Sequence, residues 1–308
     1  MELSEDPDRA PDPAQRALDK ARAWNEAQQW ERAEKEAAAG LALDPESAWL
    51  EVELARSCMG REQWAEAEQS LRRALAIDAE CAPALLLLCV IETELARYVE
   101  AEQHALAALR VDPEWSFAYV CYGDLMDKTG HAAKAVKLWK KGLELDPASA
   151  DAHQRLALQH AVENRAGRAE SHARAGLALA SEDVASHASL AAARLVAGRP
   201  FAARALLRDA LRVDPSNTTL EEAWIEADRF CRWIYLPMYY WGVVTRRLPG
   251  QQFFVWGCFV ALMLTAQKLK WDPDWWGPVA FLYLFFCIYT WLAGWLVGLW
   301  TKLVPPRL

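Results

Sequence analysis

The chain lacks the short motifs that mark common catalytic and cofactor sites. It contains no GxxxxGK[ST] phosphate loop, no GxGxxG after a strand, no HExxH pair and no GxSxG nucleophile turn. His153 and His160 stand seven residues apart and could share a helix face, but neither has a cysteine or carboxylate partner at metal-ligand spacing. We therefore expect no enzyme activity, no metal site and no cofactor.

Cysteine pairs and an apolar leader are also missing. The seven cysteines form no CxxC pair, are odd in number and often stand where a small buried residue is expected. They predict reduced, structural thiols in a cytosolic protein. Residues 1–13, MELSEDPDRAPDP, are acidic and proline-containing, which predicts a disordered tail rather than a secretory signal or transit peptide.

Basic charge is scarce outside the C-terminal part. Residues 230–308 have a net charge of +5, and the chain total of −8 leaves −13 for residues 1–229. Nucleic-acid binding needs a basic face toward the phosphates, so we expect no nucleic-acid partner for the acidic part. An acidic surface suits basic or apolar protein partners instead.

What the chain does contain is a 34-residue pattern that recurs six times between residues 14 and 217, without insertion or deletion. Position 20 of every copy is alanine, position 27 is glycine or alanine, and position 28 is leucine. In four copies an Asp-Pro pair ends the second of two helical stretches. This period predicts a stack of helix pairs in which leucine 28 and the apolar residue at position 30 face inward. A single coiled coil is disfavoured because a heptad seam does not run through such breaks.

The repeat resembles the tetratricopeptide repeat (TPR). The copy at 116–149 fits that family pattern best, with Tyr119, Tyr122, Gly123, Ala135, Trp139 and Pro147. The resemblance implies an all-α, TPR-type α-solenoid over residues 14–217 that binds protein partners in its concave groove. Copies two and five have no proline at position 32, so we expect their exits to be less sharply fixed. Lys20 makes the first copy more polar, as expected of a solenoid end.

The resemblance also implies which residues line the groove, since the family uses set positions of the first helix of each repeat. Carried over by position, these residues are Trp49, Val52, Arg56, Leu86, Val90, Phe117, Val120, Asp124 and Arg155. An apolar and aromatic centre edged by charges is typical of protein-binding hot spots. Some of these residues, Leu86 especially, could instead pack between repeats, and the sequence leaves that alternative open.

Residues 251–308 predict a two-helix transmembrane hairpin. Residues 251–267 and 277–301 contain no charge, and a bilayer span needs about 20 mostly apolar residues. Basic residues are more frequent beside the two ends than in the loop 268–276, which favours cytoplasmic repeats and an external loop. Gly294 and Gly298 form a GxxxG motif, which indicates helix packing within the hairpin or, alternatively, self-association of two chains.

Residues 218–250 are predicted as a capping and interfacial helical segment. Thr218 and Glu221 form a capping-box signature before an apolar run. The helix they begin would turn these residues toward the last repeat: Ala223, Trp224, Ala227, Phe230 and Cys231. The aromatic stretch 233–245 is too short to span a bilayer, so it lies either in the membrane interface or on the final repeat.

Together these patterns favour a membrane-anchored, non-catalytic adaptor whose repeats bind partner proteins. The alternative is an accessory or assembly subunit of an integral membrane complex, contacted through the hairpin. The partners themselves are not encoded in any motif of the chain.

Overall fold

The computed structural model describes residues 12–215 and 217–232, together with positions 236, 239, 240, 243, 265, 281 and 285. This part of the chain contains α-helices and no strand. The helices, in chain order, are α1 (Pro13–Glu26), α2 (Trp30–Leu43), α3 (Ala48–Gly60), α4 (Trp64–Ile77), α5 (Ala82–Glu94), α6 (Tyr98–Val111), α7 (Ser116–Lys128), α8 (Ala132–Leu145), α9 (Ala150–Val162), α10 (Ala166–Leu179), α11 (Val184–Val196), α12 (Pro200–Val213) and α13 (Thr218–Cys231). The first twelve form the six helix pairs that the period predicts.

The helices belong to two compact units that divide between Ser149 and Ala150, at the boundary of the fourth and fifth copies. Unit 1 contains α1–α8 and unit 2 contains α9–α13. Within each unit, the two helices of a pair pack side by side and each pair packs on the next. The repeating helix-pair fold is thereby confirmed in both units.

Small residues allow the helices of a unit to approach closely. The alanine at position 20 is fully buried in all six copies. At position 27, a Cβ added to Gly40 would lie 2.7 Å from Cδ2 of Leu50, and one added to Gly142 would lie 3.1 Å from the carbonyl oxygen of Ser116. An alanine methyl group would already crowd α3 at Gly40 and α7 at Gly142, and the alanines at this position, Ala74, Ala108 and Ala210, are buried. No larger residue therefore fits at position 27 in these copies.

The second helices end in the same way in all six copies, with or without proline. The residue at position 31 has a φ between −128° and −134° in each. In copy two, which has no proline, the Asp78 side chain accepts a hydrogen bond from the backbone N–H of Glu80 at 3.0 Å, as Asp112 does from Glu114. In copy two this aspartate turn forms the exit without proline, and in copy five Ala180 adopts the same φ. That these two exits are less sharply fixed than the others stays a prediction.

Position 30 is exposed in four copies, contrary to the expectation that it faces inward. Leu43, Ile77, Val111 and Leu179 are 42–62% exposed. Each is the last residue of its helix, so the chain leaves before a further turn can cover the side chain. The leucine at position 28 fits the expectation better, since it is half-buried in five copies and buried in the sixth.

The turn inside each helix pair requires a left-handed residue at position 15. The φ of this residue lies between +56° and +80° in all six copies, at Gln28, Glu62, Ala96, Gly130, Asn164 and Gly198. A left-handed conformation costs residues with a Cβ about 1–2 kcal/mol, whereas glycine adopts it freely. Four copies therefore hold a residue with a Cβ in this conformation, at a position that the pattern of residue types does not reveal.

Replacing Ala96 with glycine is expected to raise the free energy of unfolding by about 0.5–1 kcal/mol. Glycine removes the steric strain that the Ala96 side chain causes at a φ of +58°. We expect this gain in free energy to exceed the cost of the greater conformational entropy that glycine has in the unfolded chain. Hydrogen exchange of α5 and α6 in the full chain measures the change. The matched control is Gly130→Ala at the same repeat position, which should lower protection by about 1 kcal/mol. A gain in stability for Ala96→Gly together with a loss for Gly130→Ala supports strain at position 15. A change in the same direction for both variants contradicts it.

An ion pair joins the second and third repeats of unit 1. The Arg97 guanidinium donates to both carboxylate oxygens of Glu68, at 3.0 and 2.8 Å, and Arg72 donates to the same carboxylate at 2.5 Å. The hydrogen bonds from Arg97 lower the pKa of Glu68. A carboxylate with a lowered pKa stabilises the fold above its unfolded pKa, and this stability is lost as the pH falls through the folded pKa.

Arg97→Ala is therefore expected to destabilise unit 1 by about 1 kcal/mol at pH 7, and by much less at a pH low enough to protonate the carboxylate of Glu68 in the folded chain. Urea titrations of the full chain at the two pH values give the difference. Arg72→Ala is the control, because the Arg72 side chain is 67% exposed and its loss should have a smaller effect. A loss for Arg97→Ala that is the same at both pH values would contradict the assignment.

The helix α13 closes unit 2. Its N-cap is Asn217, whose side chain accepts a hydrogen bond from the backbone N–H of Leu220 at 3.1 Å. The assignment of the cap to Thr218 is therefore wrong by one residue, because the amide oxygen of Asn217 already reaches the first turn. The predicted contact with the last repeat is confirmed, since Trp224 and Ala227 are buried in a cluster with residues of α11 and α12.

Tyr239 shows where part of the following aromatic stretch lies. Its side chain is buried, its hydroxyl donates to the carbonyl oxygen of Leu195, and its ring centroid is 5.1 Å from that of Phe230. Of the two alternatives for this stretch, packing on the final repeat is the one observed for Tyr239. Tyr240 beside it is 42% exposed.

The predicted hairpin and its Gly294 and Gly298 fall outside the described residues, apart from the single positions 265, 281 and 285. Among the residues that the structure does describe, none of the helices combines the length and the apolar composition that a bilayer crossing requires. The transmembrane hairpin stays a prediction.

Candidate protein-binding site

A cleft of about 600 Å³ lies in unit 1, where the first helices of the repeats meet the turns between repeats. One wall consists of side chains from α1 and α3, and the other consists of the turns that precede α5 and α7 together with the start of α5. The cleft belongs to unit 1 alone, and its lining mixes aromatic, aliphatic and charged groups.

A buried carboxylate organises the helix wall. Glu53 is only 2% exposed, and its Oε2 accepts a hydrogen bond from Nδ2 of Asn25 at 2.9 Å. The same amide also donates to the carbonyl oxygen of Glu53 at 2.9 Å. The guanidinium of Arg22 lies 3.4 Å from Oε1, and that of Arg56 lies 3.8 Å from Oε2. This carboxylate thus ties α1 to α3 and neutralises part of the charge of both arginines.

Trp49 forms the aromatic part of the same wall. Its side chain is 48% exposed, and the guanidinium of Arg22 lies 5.9 Å from the ring centroid, in the range of cation–π contacts. An indole that remains half exposed while its neighbours are packed offers apolar surface to a ligand.

The turn wall is acidic. Asp78, Glu80 and Asp112 line the cleft, are exposed, and form no ion pair within the part of the chain that the structure describes. Asp78 and Asp112 are the aspartates whose Oδ1 atoms fix the helix exits. Trp115 completes this wall; it is half-buried, and its ring centroid lies 6.3 Å from that of Phe117.

Cys81 lies at the base of the turn wall. It is 3% exposed, and burial raises the pKa of its thiol. The other described cysteines are also free and buried, and burial raises the pKa of Cys89 to about 12. Thiols with raised pKa values stay protonated at neutral pH, which agrees with the structural role predicted for them.

Three of the predicted groove residues come together in the cleft, namely Trp49, Val52 and Arg56. Two others, Leu86 and Val120, are 1% and 2% exposed. Leu86 packs in a cluster of residues from α5, α6 and α7, so the packing alternative is the one observed for it. Buried side chains offer no surface to a partner, so Leu86 and Val120 are left out of the site, and Val52, which is 1% exposed, lies behind the cleft lining without offering surface of its own.

The remaining predicted residues lie outside the cleft lining. Val90 packs half-buried against the same cluster as Leu86, and Phe117 is 41% exposed beside Trp115. Asp124 accepts a hydrogen bond from Nε1 of Trp139 at 3.0 Å, which gives it a structural role. Arg155 is half-buried and belongs to unit 2.

The sequence did not point to the turn wall. Its acidic residues and Trp115 lie between repeats, outside the first-helix positions that the family resemblance selects. The signal was present in part, since aspartate stands at position 31 in five of the six copies. The period does not show that two of these turns line the same cleft as Trp49.

Three histidines meet in unit 2. Nδ1 of His153 lies 3.0 Å from Nδ1 of His172, and the ring centroids of His160 and His172 are 5.7 Å apart. The sequence placed His153 and His160 on one face but did not bring in His172. Within the described ranges, no group of three or more His, Cys, Asp or Glu side chains is arranged to hold a metal ion.

Comparison with known proteins identifies the fold. No protein-family model matches the chain, and no curated protein sequence matches it. Solved structures do match, among them the Cut9–Hcn1 hetero-tetramer of the APC/C, with a TM-score of 0.62 and 16% identity over 71% of this chain. The alignment covers 44% of that chain, so this protein spans less than half of its length.

Two further structures show the same likeness. The human IFIT1 dimer with m7Gppp-AAAA matches with a TM-score of 0.64 and 16% identity, over 86% of this chain and 66% of that one. PilF of Pseudomonas aeruginosa matches with a TM-score of 0.53 and 20% identity, over 68% of this chain and 96% of that one. The structural neighbours are TPR-type repeat proteins, so the part of the chain that the structure describes has an all-helical, TPR-like solenoid fold.

Proposed function

We propose that this chain is a membrane-anchored protein-interaction adaptor that binds a partner protein in the cleft of unit 1 and carries out no covalent chemistry. The cleft is the observation that supports this function. It is an open depression of about 600 Å³ that presents two tryptophans beside arginines and carboxylates. Tryptophan and arginine are the residues most enriched at the energetic centres of protein interfaces.

The chemistry of the lining suits binding better than catalysis. The Cys81 thiol has a raised pKa because it is buried, so it is a poor nucleophile at neutral pH. The Glu53 carboxylate is 2% exposed and enclosed by Asn25 and two arginines, so little of it is open to a ligand. The groups that do reach the open cleft are indole rings, exposed carboxylates, the guanidinium groups of Arg22 and Arg56, and aliphatic surface.

The membrane anchor is proposed to be the hairpin of residues 251–308, with the repeats in the cytoplasm and the loop 268–276 outside. Besides the two uncharged stretches, Phe281 and Phe285 support it. Both are helical, stand one turn apart and are 71% and 63% exposed. Large apolar side chains on one exposed helix face are stabilised when lipid or another apolar surface covers them.

Site-specific crosslinking tests the adaptor function. The full chain carries a photoreactive amino acid at position 49 in the cleft or, as a matched control, at Val99, which is 69% exposed on α6 and outside the cleft. We expect irradiation of intact membranes to attach a discrete protein at position 49 and not at position 99. Identical products from both positions, or none from position 49, would contradict a binding role for the cleft.

The runner-up function is an accessory or assembly subunit whose hairpin makes the specific contact. The small-residue pair Gly294 and Gly298 favours it, since such spacing permits close helix contacts with a neighbour. Exchanging residues 251–303 for an unrelated hairpin separates the two functions. An unchanged crosslink at position 49 supports the adaptor, and its loss from a chain that still resists carbonate extraction supports the subunit. Replacing both glycines with leucine tests self-association through the same pair.

A further inference from the structure

We infer that the cleft of unit 1 receives a cationic side chain, an arginine or lysine within a basic segment of the partner protein. The inference rests on the proposed binding role of the cleft and names the chemistry of its ligand. The arginines of the cleft are paired with Glu53, whereas three of its carboxylates have no ion-pair partner among the described residues.

The two arginines of the cleft already form ion pairs within the helix wall. Arg22 and Arg56 share the carboxylate of Glu53, at 3.4 and 3.8 Å, and Arg22 also lies over the ring of Trp49. An acidic ligand would have to compete with a carboxylate that is held in place by Asn25 and almost fully buried. The cationic groups of the cleft are therefore poorly placed to recognise an anion.

The carboxylates of the turn wall have no such partner. Asp78, Glu80 and Asp112 form no ion pair with any residue that the structure describes, and the cleft lining as a whole carries four carboxylates against two guanidinium groups. In Asp78 and Asp112, one carboxylate oxygen accepts a backbone N–H, which fixes the group and leaves the second oxygen for a ligand. A cation entering the cleft would meet three carboxylates, of which those of Asp78 and Asp112 are held in place by the turns.

The aromatic side chains favour the same ligand. Trp49 and Trp115 line the cleft together with these carboxylates. A guanidinium or ammonium group is attracted to an indole face, while its aliphatic stem fits beside apolar surface such as Val111 and Pro83. An indole combined with an acidic rim suits an arginine or lysine better than a wholly apolar side chain.

The net charge of unit 1 indicates that the cationic side chain belongs to a segment with further basic residues. Residues 12–149 contain 16 Lys and Arg against 25 Asp and Glu, a net charge of −9. A field of this sign attracts basic segments and repels acidic ones before contact is made.

Fluorescence anisotropy with the full chain in an uncharged detergent tests the inference. The probes are two dye-labelled, capped pentapeptides, Arg-Leu-Arg-Leu-Arg and Glu-Leu-Glu-Leu-Glu. The cleft variant combines Asp78→Asn, Glu80→Gln and Asp112→Asn, in which asparagine preserves the backbone hydrogen bond of each turn. The control variant combines Asp44→Asn, Glu46→Gln and Asp146→Asn, which makes the same charge change at the same repeat positions outside the cleft lining.

We expect the arginine peptide to bind and the glutamate peptide not to. The cleft variant should weaken arginine-peptide binding about tenfold, and the control variant less than about twofold, because long-range charge alone has a small effect. Trp49→Ala should also weaken binding, since it removes an aromatic face.

Three results would overturn the inference: equal weakening by the two triple variants, preference for the glutamate peptide, or full binding by the Trp49 variant. The crosslink at position 49 separates this failure from that of the proposed function. If the crosslinked protein persists while the arginine peptide fails to bind, the cleft binds a partner of other chemistry. If both fail, the binding role fails with them.

Discussion

Replacing Trp139 with alanine is expected to lower the free energy of unfolding of unit 1 by about 3–5 kcal/mol, the range for truncating a large buried aromatic residue. The indole is 2% exposed, and its Nε1 donates to Asp124 at 3.0 Å. It lies directly against α7, where a Cβ added to Gly123 would be 2.4 Å from Nε1. The substitution therefore leaves a cavity between α7 and α8 and deprives Asp124 of this hydrogen bond.

Hydrogen exchange of the full chain measures this loss at α7 and α8. Trp49→Ala is the matched control, since this tryptophan is 48% exposed and its removal should cost less than about 1 kcal/mol. Gly123→Ala should be destabilising alone, by about 1–3 kcal/mol, because the added methyl group overlaps the indole. It should cost much less in the Trp139→Ala background, where the cavity accepts the methyl group. Additive losses in the double variant would show that the two positions are not in contact.

This pair also shows what the sequence could predict. The fourth copy fits the repeat pattern best, with a glycine at position 8 and a tryptophan at position 24, and the structure places the two in direct contact. Close helix contacts of this kind are predictable because each repeat packs its two helices in the same way, so a small residue recurs at a fixed interval. The helix pairs and the contact of α13 with the last repeat follow from local patterns of this kind.

The turns were less predictable because different residues produce the same geometry. The residue at position 15 has a left-handed backbone conformation in all six copies, yet Gln28, Glu62 and Ala96 are residue types that rarely adopt a positive φ. Position 30 is apolar in every copy but exposed in most, because exposure there depends on where the chain turns. Residue type alone does not determine either property.

The cleft was predicted in part for a related reason. Trp49 and Arg56 occupy first-helix positions that the family resemblance selects, and both line the cleft. The acidic turn wall depends on which turns come close to those helices, and this proximity is a tertiary property. Glu53 occupies one of the groove positions too, but the structure shows that it is buried and paired, which no single position in the repeat could indicate.

Glu53→Ala is expected to destabilise unit 1 by about 2–4 kcal/mol, because it leaves a buried amide without its carboxylate partner. Asn25 is 3% exposed and donates to Glu53 alone among the hydrogen bonds described for its side chain. The side chains of Arg22 and Arg56 are 43% and 41% exposed, so water can replace their lost contact and the main cost falls on Asn25. The expected value is therefore below that of a fully buried ion pair.

Hydrogen exchange of α1 and α3 in the full chain measures the effect of Glu53→Ala. The control is Glu94→Ala, which removes a carboxylate paired with Lys128 at 2.7 Å but 47% exposed, and it should cost less than about 1 kcal/mol. Asn25→Ala combined with Glu53→Ala should cost less than the sum of the two single losses, since the two side chains share one hydrogen bond. If Glu53→Ala proves as mild as Glu94→Ala, the carboxylate does not join α1 to α3, and Arg22 and Arg56 would be free to bind an acidic ligand instead.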